Sequence, residues 1–384
     1  MNNTLKHWKE AATLILAAGA SNGNNILHIK QSIQQACTNL QQNNTFGYEV
    51  LLLRRNQKSG FMPNAFVFPG GLIEAADFSN DWIKVFSKYE QNTHFGLGLV
   101  RQHDKRSTLF TTDRLKFGSQ IPGEVAFRIC AIRETFEESG VLLVVPENFN
   151  IKESQNLMEI ANQDEEEISK WRKEVQKNPF QFLEMCKVMR CMPNIWALQE
   201  WSNWLTPVFY QGSKSRRYDT AFFICCLQTK PFVIEDKKEV TAFKWFTPSE
   251  ALEEYRLHKI WIPPPQFYEL RRLCNFAPIH NLHQFSTQRA LKGCEQWMPV
   301  VAQCEDGIIH TLPGDELYPD DPDLTGEKQT VVCSNDTVEN LIRKGGCLHR
   351  VVQIDGVPNI FINVKPKYEH IKPLTMEPKS KNKL

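Results

Sequence analysis

The order of apolar and polar positions divides the chain into short buried strands and longer helical stretches. Residues 13–18 and 48–53 are continuous apolar runs of strand length, the pattern of strands covered on both faces. The Asn/Gln-rich stretch between them reads as a loop with a short helix around 29–40. Residues 65–68 run into Pro69-Gly70-Gly71, a strand ending in a turn where glycine permits close backbone approach. A helix is predicted near 81–89 and a long one over 124–139, with Gly140 as its C-cap. After a short buried strand at 141–145, residues 152–190 are helical and charged, with Asp164-Glu165-Glu166-Glu167 as a solvated face. Strands return at 220–227 and 240–246, followed by helices opened by Pro248 and by Pro263-Pro264-Pro265. From about residue 278 short β-type segments take over, and 351–354 with 360–364 form a hairpin about Asp355-Gly356.

The run at 11–20 has two readings. Lys6 and Lys9 ahead of it and small residues at its end give it the form of a secretory leader. Glu10 at its edge and eleven cysteines without a C-x-x-C pair favour a first buried strand in a chain kept in a reducing compartment. With 41% hydrophobic against 23% charged residues the chain buries a large core. The expected organisation is a principal domain over 8–275, with insertions at about 75–123 and 152–190. A β-rich extension packed on it follows over 276–372, and a disordered tail over 373–384. A net charge of +1 excludes a global field that would draw nucleic acid or an anionic membrane. No run reaches the ~18 apolar residues of a membrane span. Phosphate binding, if present, therefore rests on local cations.

Candidate chemistry concentrates in Arg133-Glu134-Thr135-Phe136-Glu137-Glu138-Ser139-Gly140-Val141. At the ~100° per residue of a helix, Val125, Ile129, Ile132 and Phe136 fall on one stripe and Glu134, Glu137 and Glu138 on nearly the opposite face. Three carboxylates one turn apart repel one another unless a cation compensates. Hard oxygen ligands at this density suit Mg²⁺ or Mn²⁺, which keep waters and substrate phosphates as further ligands.

Together with Phe68-Pro69-Gly70-Gly71, this segment resembles the Nudix hydrolases and their motif G-x(5)-E-x(7)-R-E-U-x-E-E-x-G-U, where U is bulky and aliphatic. Gly71 matches the first glycine, and Arg133, Glu134, Glu137, Glu138, Gly140 and Val141 match the second half. Gly71 and Arg133 stand 62 positions apart against 14 in the uninterrupted motif, an insertion of about 48 residues. Counted back from Arg133, the place of the motif's first glutamate falls on Val125, leaving Glu124 as its substitute, and Thr135 replaces an aliphatic residue. The resemblance implies an α/β/α sandwich around a mixed sheet, with the insertion inside the motif and a C-terminal β-rich extension. It also implies hydrolysis of a nucleoside diphosphate joined to another group. Glu134, Glu137 and Glu138 are then the metal ligands, with the backbone near Gly70 and Gly71 completing coordination. Arg133 orients the carboxylates, and one of them, or a glutamate elsewhere, is the general base.

Trp8, the segment Arg216-Arg217-Tyr218-Asp219-Thr220-Ala221-Phe222-Phe223 and the Ile262-Pro263-Pro264-Pro265 turn narrow the resemblance to a peroxisomal subgroup. Its implied substrates are coenzyme A and acyl-coenzyme A, cleaved to adenosine 3′,5′-bisphosphate and (acyl-)4′-phosphopantetheine. Other family substrates, NADH, a nucleotide sugar or an RNA cap, use the same motif. A nucleotide-binding module without catalysis is a rival of another class, against which the clustered carboxylates argue. Arg54 and Arg55, and Lys214 with Arg216 and Arg217, are candidate phosphate grips because a guanidinium binds phosphate bidentately; each group also reads as a solvated strand edge. Trp201, Trp204 and Phe66 stack on adenine, line an acyl channel or belong to the core. Glu74, beside the glycine turn, supports the metal ligands from behind or is a solvated loop carboxylate, and Glu239 is a further metal or base candidate or an exposed strand end. Asn382-Lys383-Leu384 resembles the S-K-L signal read by the peroxisomal import receptor, which makes the peroxisome the expected address.

Overall fold

The computed structural model describes residues 8–20, 46–102, 104–160, 164–208, 216–236, 238–325, 332–344, 346–354 and 357–375. Along them run β1 (Lys9–Gly19), β2 (Tyr48–Arg55), β3 (Phe66–Val67), β4 (Gly70–Leu72), α1 (Trp82–Val85), α2 (Thr108–Thr111), α3 (Gly123–Ser139) and β5 (Val144–Pro146). There follow α4 (Glu165–Val175), α5 (Phe180–Val188), β6 (Cys191–Pro193), β7 (Gln199–Leu205), β8 (Tyr218–Leu227), β9 (Val240–Phe246), α6 (Pro248–Arg256), α7 (Pro264–Leu273) and α8 (Ile279–Arg289). The last elements are β10 (Gln296–Trp297), β11 (Val300–Gln303), β12 (Ile308–Thr311), β13 (Val332–Cys333), α9 (Val338–Arg343), β14 (His349–Ile354) and β15 (Val357–Ile362).

The apolar run at 11–20 is the centre of the molecule. β1 sits inside a mixed eight-stranded sheet of order β10-β7-β8-β1-β2-β3, with β4 also paired to β1 and β9 to β2. It lies parallel to β8 from Lys9↔Tyr218 to Ala18↔Leu227 and antiparallel to β2 and β4. Its period-2 alternation feeds two cores: Ala12, Leu14, Leu16 and Ala18 pack under α3, while Ile15 and Ala17 pack with α6, α7 and α8. This is the expected α/β/α sandwich. A second sheet, β13-β11-β12-β14-β15, docks on the latter face through Leu312, Val351 and Ile360 and keeps a small core of its own around Ile309, Leu341 and Val352.

Several expectations need correction. α3 is not an amphipathic helix with a solvated side, for it is buried nearly all round. The inserted segment supplies the covering layer: Trp82, Phe86 and Phe110 join the α3 core, Arg106 makes a double ion pair with Glu200 at 2.9 Å, and Arg114 pairs with Glu10. The helix expected near 81–89 is only a turn of α-helix followed by a 3-10 turn. The strand expected at 141–145 begins at Val144. Past residue 278 the chain opens with α8 rather than β-structure, its Leu282 and Ser286 buried one turn apart. The hairpin at the end of the second sheet is present, with Ile354 paired to Val357 and Pro358 within its second strand. Its turn residues, and the helix expected at 29–40, lie outside the described residues.

Candidate active site

β4 and α3 build the site by close approach. Gly70, at φ 156, presses its backbone against Ala12 and Thr13 of β1, where a Cβ would collide, and its N–H donates to Glu138 Oε2 at 2.9 Å. At Gly71 a Cβ would overlap the Glu134 carboxyl, so glycine there leaves Glu134 its place. Arg133 is fully buried and holds the cluster together. Its Nη1 donates to Glu134 Oε1 at 2.8 Å and to Glu137 Oε1 at 2.7 Å. Its Nε and Nη2 make a bidentate pair with Asp77 at 2.8 and 2.9 Å, and Nη2 also reaches Leu72 O. Gly140, at φ 76, ends α3 as its left-handed cap.

Asp77 is the residue that counting back from Arg133 misses. Counting forward from Gly71 finds it, since the sixth position on is the place of the motif's first glutamate. The insertion therefore follows Asp77, which is fixed by a single 3-10 turn in which the Glu74 N–H donates to its Oδ2 at 2.8 Å. Glu124 has no part in the site; it pairs with Arg106 and His94 at the far end of α3.

The site is short of positive charge. Burial, then the neighbouring Glu137 and Asp77 charges, push the Glu134 carboxyl up to about 8 against the pull of Arg133. Burial raises Glu137 as well, and burial with the Glu134 charge raises Glu138 well above the ordinary carboxylate range against the Gly70 hydrogen bond. The three α3 carboxyls fit a divalent cation, whose charge would favour their ionised form. Among the described residues no three His, Cys, Asp or Glu side chains already converge as a metal cage. Glu134 and Glu137 are turned onto Arg133 instead.

Glu134, Glu137, Glu138, Arg133 and Gly71 all line one cleft of about 680 Å³, which they share with Arg55 and Arg216. Arg55 is steadied by the 59–61 loop through Ser59 Oγ and Phe61 O, and Arg216 lies over Gly60. Lys238, which the sequence did not single out, also lines the cleft, as do Glu74, Glu239 and Trp204. The remaining expected grips are elsewhere. Arg54 points to solvent and donates to Asn64. Arg217 is buried and structural: it donates to Thr206 O at 2.9 Å and Leu324 O at 2.7 Å, beneath the Trp8 ring. Trp201 is in the core, its indole N–H on Glu269, and Phe66 packs edge-on against Phe246. Lys214 and the 382–384 tripeptide lie outside the described residues. The cleft also touches Pro299, His310, Leu312 and Val351 of the C-terminal region, which no local pattern tied to the site.

Residues 8–273 match the family described as NUDT19 Nudix domain, and residues 301–358 that described as NUDT19 C-terminal domain. The chain is 71% identical over 384 residues to acyl-coenzyme A diphosphatase NUDT19 of Xenopus laevis, covering 100% of both chains. It is 40% identical over 370 residues to the Homo sapiens protein of the same description, covering 95% of this chain and 94% of that one. Among solved structures, a NUDIX hydrolase from Alicyclobacillus acidocaldarius superposes with a TM-score of 0.48 at 18% identity, covering 72% of this chain and 96% of that chain.

Proposed function

Because the chain belongs to the NUDT19 family of Nudix hydrolases, we propose that its cleft hydrolyses the pyrophosphate bond of coenzyme A and acyl-coenzyme A. The products are adenosine 3′,5′-bisphosphate and (acyl-)4′-phosphopantetheine. The observation that carries this reading is the carboxylate cluster on Arg133, set in the wall of a cleft that also holds Arg55, Arg216 and Lys238.

Pyrophosphate resists water because its charged oxygens repel a nucleophile. A bound Mg²⁺ or Mn²⁺ would neutralise those oxygens and lower the pKa of a water, with Glu134, Glu137 and Glu138 as its ligands. The chain's own groups do the positioning. Arg133 holds Glu134 and Glu137 by Nη1, and Asp77 in turn holds Arg133, so the carboxylates cannot swing apart. The Gly70 N–H fixes Glu138. Arg55, Arg216 and Lys238 attract the substrate phosphates locally in a chain of nearly neutral net charge. As water adds to phosphorus, a cleft carboxylate, one of the three on α3 or Glu239, takes its proton. The P–O bond to the other phosphate breaks, and both products leave as phosphates.

Incubation with coenzyme A, NADH and capped RNA in Mg²⁺, followed by mass spectrometry, tests the reading. Adenosine 3′,5′-bisphosphate is the expected product. Turnover of NADH or cap alone would move the activity to another substrate, and binding without turnover would make the protein a sensor.

For the address, we propose that Asn382, Lys383 and Leu384 direct import into peroxisomes. A fluorescent protein carrying residues 373–384 is expected in peroxisomes. Diffuse fluorescence would show that this segment is not a sufficient signal.

A further inference from the structure

The cleft does not end at the carboxylates. Its floor is the face of the main sheet opposite α3, laid out in two registered rows. Leu72 on β4, Ala11 on β1, Thr220 on β8 and Trp204 on β7 stand side by side in one row. Gly70, Thr13 and Phe222 stand in the next. All seven line the cleft. Strands are spaced by about 4.8 Å, so the β7 end lies roughly 14 Å across the sheet from the β4 end, where the carboxylates reach in. A substrate whose pyrophosphate sits at β4 therefore places a distant part of itself against β7.

Beyond Trp204 the wall belongs to the second sheet. His310 and Leu312 lie two positions apart, and Val351 pairs with His310 across the ladder, so all three share one face. The adjacent pair, Ile309 and Val352, turns the other way into the sheet's own core. Pro265 at the start of α7 and Pro299 before β11 close the same end with further apolar surface.

We propose that the C-terminal sheet is the far wall of the substrate cleft and receives the acyl end of the acyl-pantetheine arm. The inference rests on the acyl-coenzyme A reading above and deepens it. The two ends of such a substrate differ in the sense the cleft does. The adenosine end carries phosphates suited to Arg55, Arg216 and Lys238, whereas the other end is a chain of amides and methylenes suited to His310, Leu312 and Val351.

His310 is only half-buried, so it can be enlarged without rebuilding the core. The test compares kcat/KM for dodecanoyl-coenzyme A with that for free coenzyme A. His310→Trp is expected to lower the ratio about 10-fold or more by filling the end of the arm. His310→Ala is expected to move it the other way, toward longer chains, and serves if the larger residue lowers the melting temperature. A folded variant that changes both substrates equally, or neither, overturns the proposal and leaves the sheet a structural support. A wild-type enzyme that cleaves neither substrate fails at the function instead, and the inference falls with it.

Discussion

Asp77 and Gly71 bear on the chemistry through the side chains they place. Asp77→Asn removes half of a buried charge pair around Arg133, and is expected to cost about 3 kcal/mol of stability and at least 10-fold in turnover. Thermal melts and kinetics would detect both, and loss of stability with normal turnover would separate Arg133 from the catalytic geometry. Gly71→Ala places a methyl group where the Glu134 carboxyl lies, so turnover is expected to fall about 100-fold while the fold persists. Glu138→Gln removes a ligand or base without changing volume, and again a fall of about 100-fold or more is expected. Near-normal turnover in saturating Mg²⁺ would remove Glu138 from the machinery. The α3 carboxylates were legible in the sequence because helical spacing puts them on one face, and Arg133 because the resemblance to the family motif places it beside them. Asp77 was hidden by the direction of counting: an insertion destroys register on one side of itself and leaves it intact on the other.

At the level of elements, the two neighbouring arginines before β8 part company. Arg216 faces the cleft, and Arg216→Ala is expected to raise KM for coenzyme A more than for the analogue lacking the 3′-phosphate. Equal effects on the two ligands would assign it general positioning. Arg217 ties β8 to Thr206 and Leu324, so Arg217→Ala is expected to lower the melting temperature by several degrees with KM unmoved. A strand's alternation makes the pair's divergence intelligible, yet sequence alone does not say which parity faces the ligand. The apolar strands themselves were plain, since burial on both faces writes an uninterrupted apolar run. The insertion could be counted but its packing could not be read, because Trp82, Phe86 and Phe110 acquire partners only on α3 and its surroundings, far along the chain.

Across the whole molecule, the second sheet is seated partly by histidines that must stay neutral. His349 donates from Nδ1 to Pro313 O and accepts from the Tyr268 hydroxyl at Nε2, each at 2.8 Å, with Arg272 and Asp315 as its charged neighbours. Burial holds its pKa down to about 4, and burial lowers that of His370, against Trp201 O, as well. The unfolded chain takes up these protons below about pH 6.5. The stabilisation is therefore complete above that pH and is lost as pH falls toward 4, by about 3 kcal/mol for His349. Melting temperature measured from pH 7 to 4.5 is expected to fall less steeply in His349→Gln; an unchanged slope would place the acid-sensitive step elsewhere. Sequence reasoning expected a β-rich extension packed on the principal domain but had no signal for the face it covers. The pairing of β1 with β8 has a further consequence, for the life of the chain before it is folded. The two strands stand about two hundred residues apart. At 5–20 residues per second, synthesis therefore leaves the first strand waiting on the order of 10–40 s for its parallel partner to emerge from the ribosome. During that interval its apolar run and open edge are a ready target for a chaperone or for another nascent chain, and yield is expected to depend on what shields β1 as well as on the stability of the finished sheet.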